Sequence, residues 1–167
     1  KNYQIILAEE ILKIHQNTRE KYGFKFDSQI GALKQKNEFT DNWVIFFRDK
    51  RLNSIFELIN NDNPMASHIN QKMDKLLKHL HNFIPNNPIP RLLHGDLWAG
   101  NILYNNGKLV GLIDPGIFFG HNELEIAYLT WFNFVNEEFI KIYSNIIPIK
   151  KDYFEYEPIY QLYYCLL

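Results

Sequence analysis

The sequence has few of the features that cross-link a chain or place it in a membrane. Among its 167 residues there is one cysteine, Cys165, so no intramolecular disulfide can form. A single cysteine is typical of a reducing compartment. No apolar run reaches the ~18 residues that a membrane-spanning helix needs. We therefore expect a cytoplasmic protein that makes no membrane contact, with Cys165 buried in an apolar segment as a small hydrophobic side chain.

The sequence also lacks an excess of charge of either sign. Lys and Arg total 18 and Asp and Glu total 19, which gives a net charge of -1. Without a basic excess, the chain carries no signature of a nucleic-acid-binding protein. Hydrophobic residues make up 46%, enough to exclude a largely disordered chain. A domain of this size buries roughly 70% of its unfolded surface, so we predict one domain over residues 1–167.

Hydrophobic spacing predicts an α+β fold that is mostly helical, with one small β-hairpin in the middle. Residues 24–48 show no sustained period and are rich in aromatic side chains, which indicates a long ordered loop. The pair Asn106-Gly107 tolerates positive φ and predicts the turn of the hairpin. We expect strands at 91–93, 102–104 and 108–113. We expect helices at 3–22, 50–61, 66–83, 123–135 and 137–146, and a last helix that begins at Pro158.

Three polar residues lie at the ends of the predicted strands. Asp96 follows a buried strand, Asn101 begins the hairpin and Asp114 ends it. Because a hairpin folds back on itself, we expect Asn101 and Asp114 to be neighbours and Asp96 to reach the same edge. Phosphoryl transfer requires oxygen ligands for a metal and a carboxylate that orients the attacking hydroxyl. In protein kinases, the pattern H-R-D-L-x-x-x-N provides this set, and residues 94–101 match it except at Gly95.

The run Leu92-Leu93-His94-Gly95-Asp96-Leu97-Trp98-Ala99-Gly100-Asn101 resembles the catalytic loop of the fructosamine (ketosamine) kinase family, whose fold is protein-kinase-like. Residues 112–115 and 118–121 also resemble that family. A second block agrees, with Tyr22-Gly23-Phe24, Ile30-Gly31, Gln35, Asn37, Trp43, Phe46-Phe47 and Arg51-Leu52. The resemblance covers most of residues 5–167 and is weak between 60 and 88.

The resemblance implies an ATP-dependent, Mg²⁺-dependent kinase that phosphorylates a sugar hydroxyl of a ketosamine. It makes Asp96 the catalytic base, and Asn101 and Asp114 the metal ligands. Three further residues are candidates to contact substrate: Trp98 through its flat ring, and Gln35 and Asn37.

Each of these assignments has a structural alternative. Trp98 is equally compatible with loop packing, and Gln35 and Asn37 with capping of an irregular loop. His94 is expected to support the catalytic loop by hydrogen bonding, or to be a core histidine bound to backbone. His15 is expected to be structural. Glu125 stands where the family more often has Asp, a departure that we expect to affect loop support rather than catalysis.

The sequence contains neither a glycine-rich phosphate loop nor a strand lysine, which kinases of this fold use to hold the nucleotide. We therefore expect the chain to be a C-terminal lobe, truncated at both ends, without its N-terminal nucleotide-binding lobe, and to be inactive as a fragment. The residues that bind the nucleotide and the oligomeric state are not predictable from it. Two alternatives stay open: an aminoglycoside- or choline-type kinase, and a non-catalytic pseudokinase or binding module.

Overall fold

The computed structural model describes residues 2–167, about half of them helical. Short 3₁₀ turns at Leu80–Asn82 and Ala99–Asn101 and a π-helical turn at Arg48–Leu52 supplement the α-helices. The α-helices are α1 (Tyr3–His15), α2 (Trp43–Phe47), α3 (Asn53–Asp62), α4 (Ser67–His79), α5 (Asn122–Trp131), α6 (Glu137–Ser144) and α7 (Tyr153–Leu166).

The strands are short and form three antiparallel pairs. The first pair joins β1 (Ser28–Ile30) to β2 (Leu33–Gln35), and the second joins β3 (Arg91–Leu93) to β6 (Phe118–Gly120). The third is the predicted hairpin of β4 (Ile102–Asn105) and β5 (Lys108–Leu112). The predicted α+β class is therefore confirmed, with less helix and more strand than the sequence indicated.

The prediction that the first helix runs to residue 22 is wrong, because α1 ends at His15. The Asn17 side-chain amide donates to the carbonyl oxygens of Lys13 and Ile14 and closes the last turn. The following residues then pair with distant strands, Thr18 with Arg91 and Gly23 with Phe119. These long-range pairings produce no hydrophobic period in the sequence. Local spacing alone therefore predicts a helix that is too long.

The irregular stretch at 24–48 contains the β1–β2 hairpin and the start of a continuous helical segment. That segment begins at Trp43, well before the predicted boundary near residue 50, because the Asn42 side chain accepts a hydrogen bond from Ile45 N–H at 3.0 Å. It continues through the π-helical turn into α3. The stretch is therefore more regular than its sequence indicates.

The last helix starts five residues earlier than predicted, and Pro158 lies inside it. Tyr153 and Tyr156 of its first turn are buried, and the Tyr156 hydroxyl donates to Glu123 of α5. These tertiary contacts extend the helix beyond the position where proline is most favourable. Cys165, expected to be buried, is exposed on this helix.

The hydrophobic core lies between the helices and the β3–β6 pair. Helix α1 packs against α6, and α5 packs against α7. Trp43 is fully buried near the centre, where its indole N–H donates to the Tyr160 hydroxyl at 2.9 Å. Over residues 2–167, no helix combines the length and the apolar character needed to cross a bilayer. The core positions β3 and β6 so that the loops following β3 and preceding β6 meet at one surface.

Candidate active site

The first segment of the site, His94–Asp96, is fixed by the strand that precedes it. Strand β3 pairs with β6, with Leu92 opposite Phe119. On its other edge, Leu92 N–H donates to the carbonyl oxygen of Asn17 at 2.8 Å. Leu93 is fully buried. Because both edges of β3 are hydrogen-bonded, the loop leaves the core at a defined position.

A buried carboxylate, Glu125 of α5, binds the backbone of this loop. Its Oε1 accepts from Gly95 N–H at 2.6 Å, and its Oε2 accepts from His94 N–H at 3.1 Å. Oε2 also lies 2.8 Å from Nε2 of His15, whose Nδ1 lies 2.7 Å from the Tyr143 hydroxyl. Burial raises the pKa of Glu125, but the hydrogen bonds from His15 and the loop backbone outweigh it and hold the pKa below its usual range. Glu125 is therefore an ionised anchor for the loop.

The glycine that replaces the arginine of the protein-kinase pattern has a geometric cause. Gly95 has φ +84°, in the left-handed region that disfavours side chains. A Cβ atom at Gly95 would lie 2.3 Å from the carbonyl oxygen of Gly116, which no structure tolerates. Gly95 thus allows the loop after β3 to approach the backbone of the loop before β6 closely.

Asp96 and Asn101 are joined by direct hydrogen bonds. The Asn101 side-chain amide donates to the Asp96 carbonyl oxygen at 2.8 Å and to its carboxylate Oδ2 at 3.1 Å. Both amide hydrogens are thus committed, and the Asn101 Oδ1 accepts no hydrogen bond from residues 2–167. Partial burial raises the pKa of Asp96, while the Asn101 hydrogen bond acts in the opposite direction.

Asp114 reaches the same edge as Asn101 through the β4–β5 hairpin. Ile113 N–H donates to the Asn101 carbonyl oxygen at 3.0 Å, so the start and end of the hairpin lie side by side, as its sequence predicts. The Asp114 side chain is exposed, and its φ of +51° is in the left-handed region. Strained backbone at a non-glycine residue is concentrated at functional sites.

These residues open onto a cleft of about 730 Å³. It is formed by the loop that follows β3 and the Asp114 loop together with the β1–β2 hairpin. The lining residues are Asp27, Ser28, Gln29, Gly31, Lys34, Asp96, Trp98, Asn101, Asp114 and Pro115. The volume is in the range of small-molecule sites. The chemistry-bearing residues predicted from the sequence therefore share a cavity.

Trp98 is exposed at this cleft and lies against the catalytic loop. Its ring packs over Gly100, where a Cβ atom would lie 2.3 Å from the indole carbons. Nearly half of the Trp98 side chain, 46%, remains accessible. One face of the indole is thus fixed by the loop, and the accessible remainder contributes to the cleft wall.

The other three residues singled out by the sequence lie away from the cleft surface. Gln35 and Asn37 are buried and do not line the cleft. The Gln35 side-chain amide donates to the Tyr163 hydroxyl. His94 is also buried, and its Nδ1 accepts from Asp96 N–H at 3.4 Å. The contact is weak, and it joins two residues of the same loop.

Asn37 is the centre of a buried network beneath the cleft. Its side-chain amide nitrogen lies 3.2 Å from the Phe26 carbonyl oxygen, 3.0 Å from Ser28 Oγ and 3.2 Å from the Ile117 carbonyl oxygen. Its Oδ1 accepts from Arg51 Nη2 at 2.6 Å. This arrangement resembles the loop capping that was the structural alternative for Asn37.

Sequence reasoning missed Asp27 and Lys34 as cleft residues. It also noted Arg51 without assigning it a place. Arg51 is fully buried, and its guanidinium lies 4.6 Å from the ring centroid of Phe46 and 4.0 Å from that of Phe118. The irregular aromatic character of residues 24–48 was the available signal, but the hairpin that presents Asp27 depends on contacts that no local pattern shows.

The donor set at the cleft fits Mg²⁺. No group of three or more His, Cys, Asp or Glu side chains in the described part of the chain is arranged to hold a metal ion by itself. Mg²⁺ usually binds through one or two carboxylates plus substrate phosphates. The free Oδ1 of Asn101 and the exposed Asp114 carboxylate are hard oxygen donors of that kind.

Comparisons with known proteins agree with this geometry. The family model described as fructosamine kinase matches residues 1–167. A "Probable ketoamine kinase" from Enterococcus faecium is 36% identical over 164 residues, covering 96% of this chain and 58% of the relative. A chloroplastic "Protein-ribulosamine 3-kinase" from Arabidopsis thaliana is 32% identical, covering 98% of this chain and 50% of the relative. The chain thus spans about half the length of the curated relatives it matches.

A solved structure gives the same result for the fold. The crystal structure of a "Putative fructosamine-3-kinase" from Haemophilus somnus superposes with a TM-score of 0.85 at 30% identity. The superposition covers 99% of this chain and 56% of the other.

Proposed function

Because this chain belongs to the fructosamine kinase family, we propose that the protein containing it transfers the γ-phosphoryl group of ATP to a sugar hydroxyl of a ketosamine. The observation that carries the proposal is the pairing of Asp96 with Asn101, beside Asp114, in one cleft. Transfer to a small alcohol needs a base for the hydroxyl and oxygen ligands for the metal. This constellation offers both.

Asp96 is the proposed catalytic base. Its carboxylate orients the acceptor hydroxyl and accepts the proton as the oxygen attacks the γ-phosphorus. Burial raises the pKa of Asp96 and so strengthens it as a proton acceptor, while the Asn101 hydrogen bond keeps the carboxylate in a fixed position. His94 and Glu125 act through the loop backbone and are positioning residues.

Asn101 and Asp114 are the proposed Mg²⁺ ligands, through Oδ1 and the carboxylate respectively. When bound, Mg²⁺ neutralises the negative charge of the nucleotide phosphates. The two residues are held next to each other by the backbone hydrogen bond from Ile113 N–H to the Asn101 carbonyl oxygen. Asn101 thus has two roles: it orients the base with its nitrogen and offers its oxygen to the metal.

Trp98 is the proposed wall for the sugar. An exposed indole packs well against the apolar face of a sugar ring, and Gly100 keeps the ring in place from behind. For Gln35 and Asn37 we propose a supporting role instead of direct substrate contact. Their side chains are buried beneath the hairpin that lines the cleft.

We further propose that this chain is the C-terminal lobe of the kinase. The sequence has no glycine-rich loop and no strand lysine for the nucleotide phosphates, and its matches cover about half of each relative. Each missing charge-assisted contact is worth roughly 1.5–3 kcal/mol. On this proposal, the 167 residues alone have little or no turnover.

The test is a phosphorylation assay of the full-length protein with ATP, Mg²⁺ and a ketosamine. We expect phosphate on the ketosamine, and a loss of turnover of at least about 10²-fold in Asp96→Asn. Nucleotide binding should be retained, which separates loss of the base from loss of the fold. Phosphate on an aminoglycoside or choline but not on the ketosamine would contradict the proposal, as would unchanged turnover in the variant.

The same assay on residues 1–167 tests the proposal about the lobe. Robust turnover by this piece would contradict it. A protein that binds ATP but transfers no phosphate to any of these acceptors would instead support a non-catalytic binding module.

A further inference from the structure

The cleft is also lined by a separate carboxylate, Asp27, just before β1. One of its oxygens, Oδ1, accepts from Asn37 N–H at 3.0 Å. The other, Oδ2, lies 3.2 Å from the Nζ atom of Lys34. Asp27 is outside the Asp96–Asn101–Asp114 group, so neither the base nor the metal ligands account for it.

Asp27 is exposed, and a buried neighbour holds one of its oxygens. Its hydrogen-bond donor, Asn37, is fully buried and bonded through its side chain to Ser28 and to the buried Arg51. The backbone N–H of Asn37 and the Lys34 ammonium hold the pKa of Asp27 below its usual range. Lys36 adds a smaller effect in the same direction. The carboxylate is therefore ionised at neutral pH and fixed in direction.

Its partner Lys34 is held far less firmly. The Lys34 side chain is 74% exposed. Exposed ion pairs of this kind contribute little to stability, about 0–1 kcal/mol. A ligand cation that fits the cleft can therefore displace the lysine without disturbing the fold. Lys34 also shows that Asp27 Oδ2 can pair with an alkylammonium group, and both residues line the cleft.

We propose that Asp27 binds the protonated amine nitrogen of the ketosamine, which replaces the Lys34 ammonium when the substrate enters. This inference rests on the proposed function, and it assigns to Asp27 the discrimination between a ketosamine and an unmodified ketose. The two substrates share their sugar hydroxyls, so Asp96 cannot tell them apart. They differ at the amine, which carries a positive charge near neutral pH as alkylamines do.

The two partners of the pair predict opposite effects on substrate affinity. Asp27→Asn removes the charge that attracts the amine, and we expect the KM for a ketosamine to rise about tenfold, with kcat within about twofold. Lys34→Met removes the competing ammonium, and we expect the KM to fall about two- to threefold. For a neutral 1-O-alkyl ketose, in which oxygen replaces the amine nitrogen, neither variant should change the KM.

The experiment measures kcat and KM of the full-length protein for both substrates. Asp41→Asn is the matched control, since Asp41 also pairs with a lysine, Lys21 at 3.2 Å, but does not line the cleft. A normal wild-type rate with the ketosamine but an unchanged KM in Asp27→Asn would overturn this inference alone. So would an equal rise in KM for the neutral ketose, or a higher KM in Lys34→Met. No turnover of the ketosamine by the wild-type protein would overturn the proposed function and this inference with it.

Discussion

Asn101 donates both of its side-chain amide hydrogens to Asp96, one to the carbonyl oxygen and one to the carboxylate. The amide thereby sets the direction of the proposed base and leaves its own oxygen available as the proposed metal ligand. Two roles that are formally separate in phosphoryl transfer thus depend on the orientation of one side chain.

Asn101→Asp separates these two roles. The variant retains an oxygen ligand but replaces the two donors with a second carboxylate beside Asp96. Like charges in contact raise the pKa of one of the pair. We expect kcat in the full-length protein to fall by at least about 10²-fold, with the acid limb of the pH profile moved to higher pH.

The control for this variant is Asn105→Asp, which makes the same change at an exposed position of the same hairpin. It should leave the rate and the pH profile unchanged. If Asn101→Asp lowered the rate without moving the acid limb, the proposed link between Asn101 and the base would be wrong.

Asp96 should reduce the stability of the folded chain at neutral pH. Its folded-state pKa is raised by burial, so the folded state holds the proton more tightly than the unfolded state does. Stability therefore decreases as the pH rises from the unfolded pKa, about 3.9, through the higher folded pKa. Asp96→Asn removes this cost and keeps the oxygen that accepts from Asn101.

We accordingly expect Asp96→Asn to raise the Tm at pH 7 and to have a smaller effect near pH 3. Thermal denaturation at both pH values measures this. A variant that melts below the wild type at pH 7 would show that the ionised carboxylate stabilises the fold instead.

Two buried glutamates on helix α5 allow loop support to be distinguished from general stability. Glu125 binds the backbone of the catalytic loop, whereas Glu123 binds Tyr156 and the backbone N–H of Lys150. Breaking a buried charged network typically costs about 3–5 kcal/mol. The pKa of Glu125 is depressed in the folded state, so we expect Glu125→Gln to lower the Tm. Burial raises the pKa of Glu123, so Glu123→Gln should change the Tm less.

Turnover distinguishes the two variants at a temperature where both remain folded. Glu125→Gln should lower kcat by about tenfold or more because His94 and Gly95 lose a charged acceptor. Glu123→Gln should stay near the wild-type rate. Equal losses of kcat in the two variants would mean that Glu125 contributes only to folding.

The pH dependence of this anchor has the opposite sign to that of Asp96. The pKa of Glu125 is depressed in the folded state, so its stabilisation is present above the unfolded pKa of about 4.3 and is lost as the pH falls through the lower folded value. The Tm difference between wild type and Glu125→Gln should therefore shrink in acid. A difference that stays constant down to pH 3 would contradict an ionised anchor.

The proposed metal ligands and the hairpin were predictable because their positions depend on local sequence. Asn106-Gly107 defines the turn. The turn places Asn101 next to Ile113, the residue before Asp114. The extended course of residues 16–23 was not predictable in this way, since it depends on strands far along the chain. The location of the protein in a reducing compartment, inferred from Cys165, stays a prediction.

The sequence also did not predict the buried charged residues beneath the site. A glutamate in an apolar helix and an arginine in an aromatic segment each look like surface residues until their partners are known. Glu125 meets two backbone N–H groups, and Arg51 meets Asn37 between two phenyl rings. The partners come from segments separated by many residues, so composition and spacing carry no trace of them.

The close approach of Gly95 to Gly116 links the loops that carry Asp96 and Asp114. Because Gly95 has no side chain, its backbone can lie close to the carbonyl group of Gly116, and Asp114 is two residues from that point. We therefore expect a displacement of the Asp114 loop to shift the segment that carries Asp96. For an inhibitor designer, a compound that wedges these two glycines apart would disable the proposed base and the proposed metal ligand together, without touching either carboxylate.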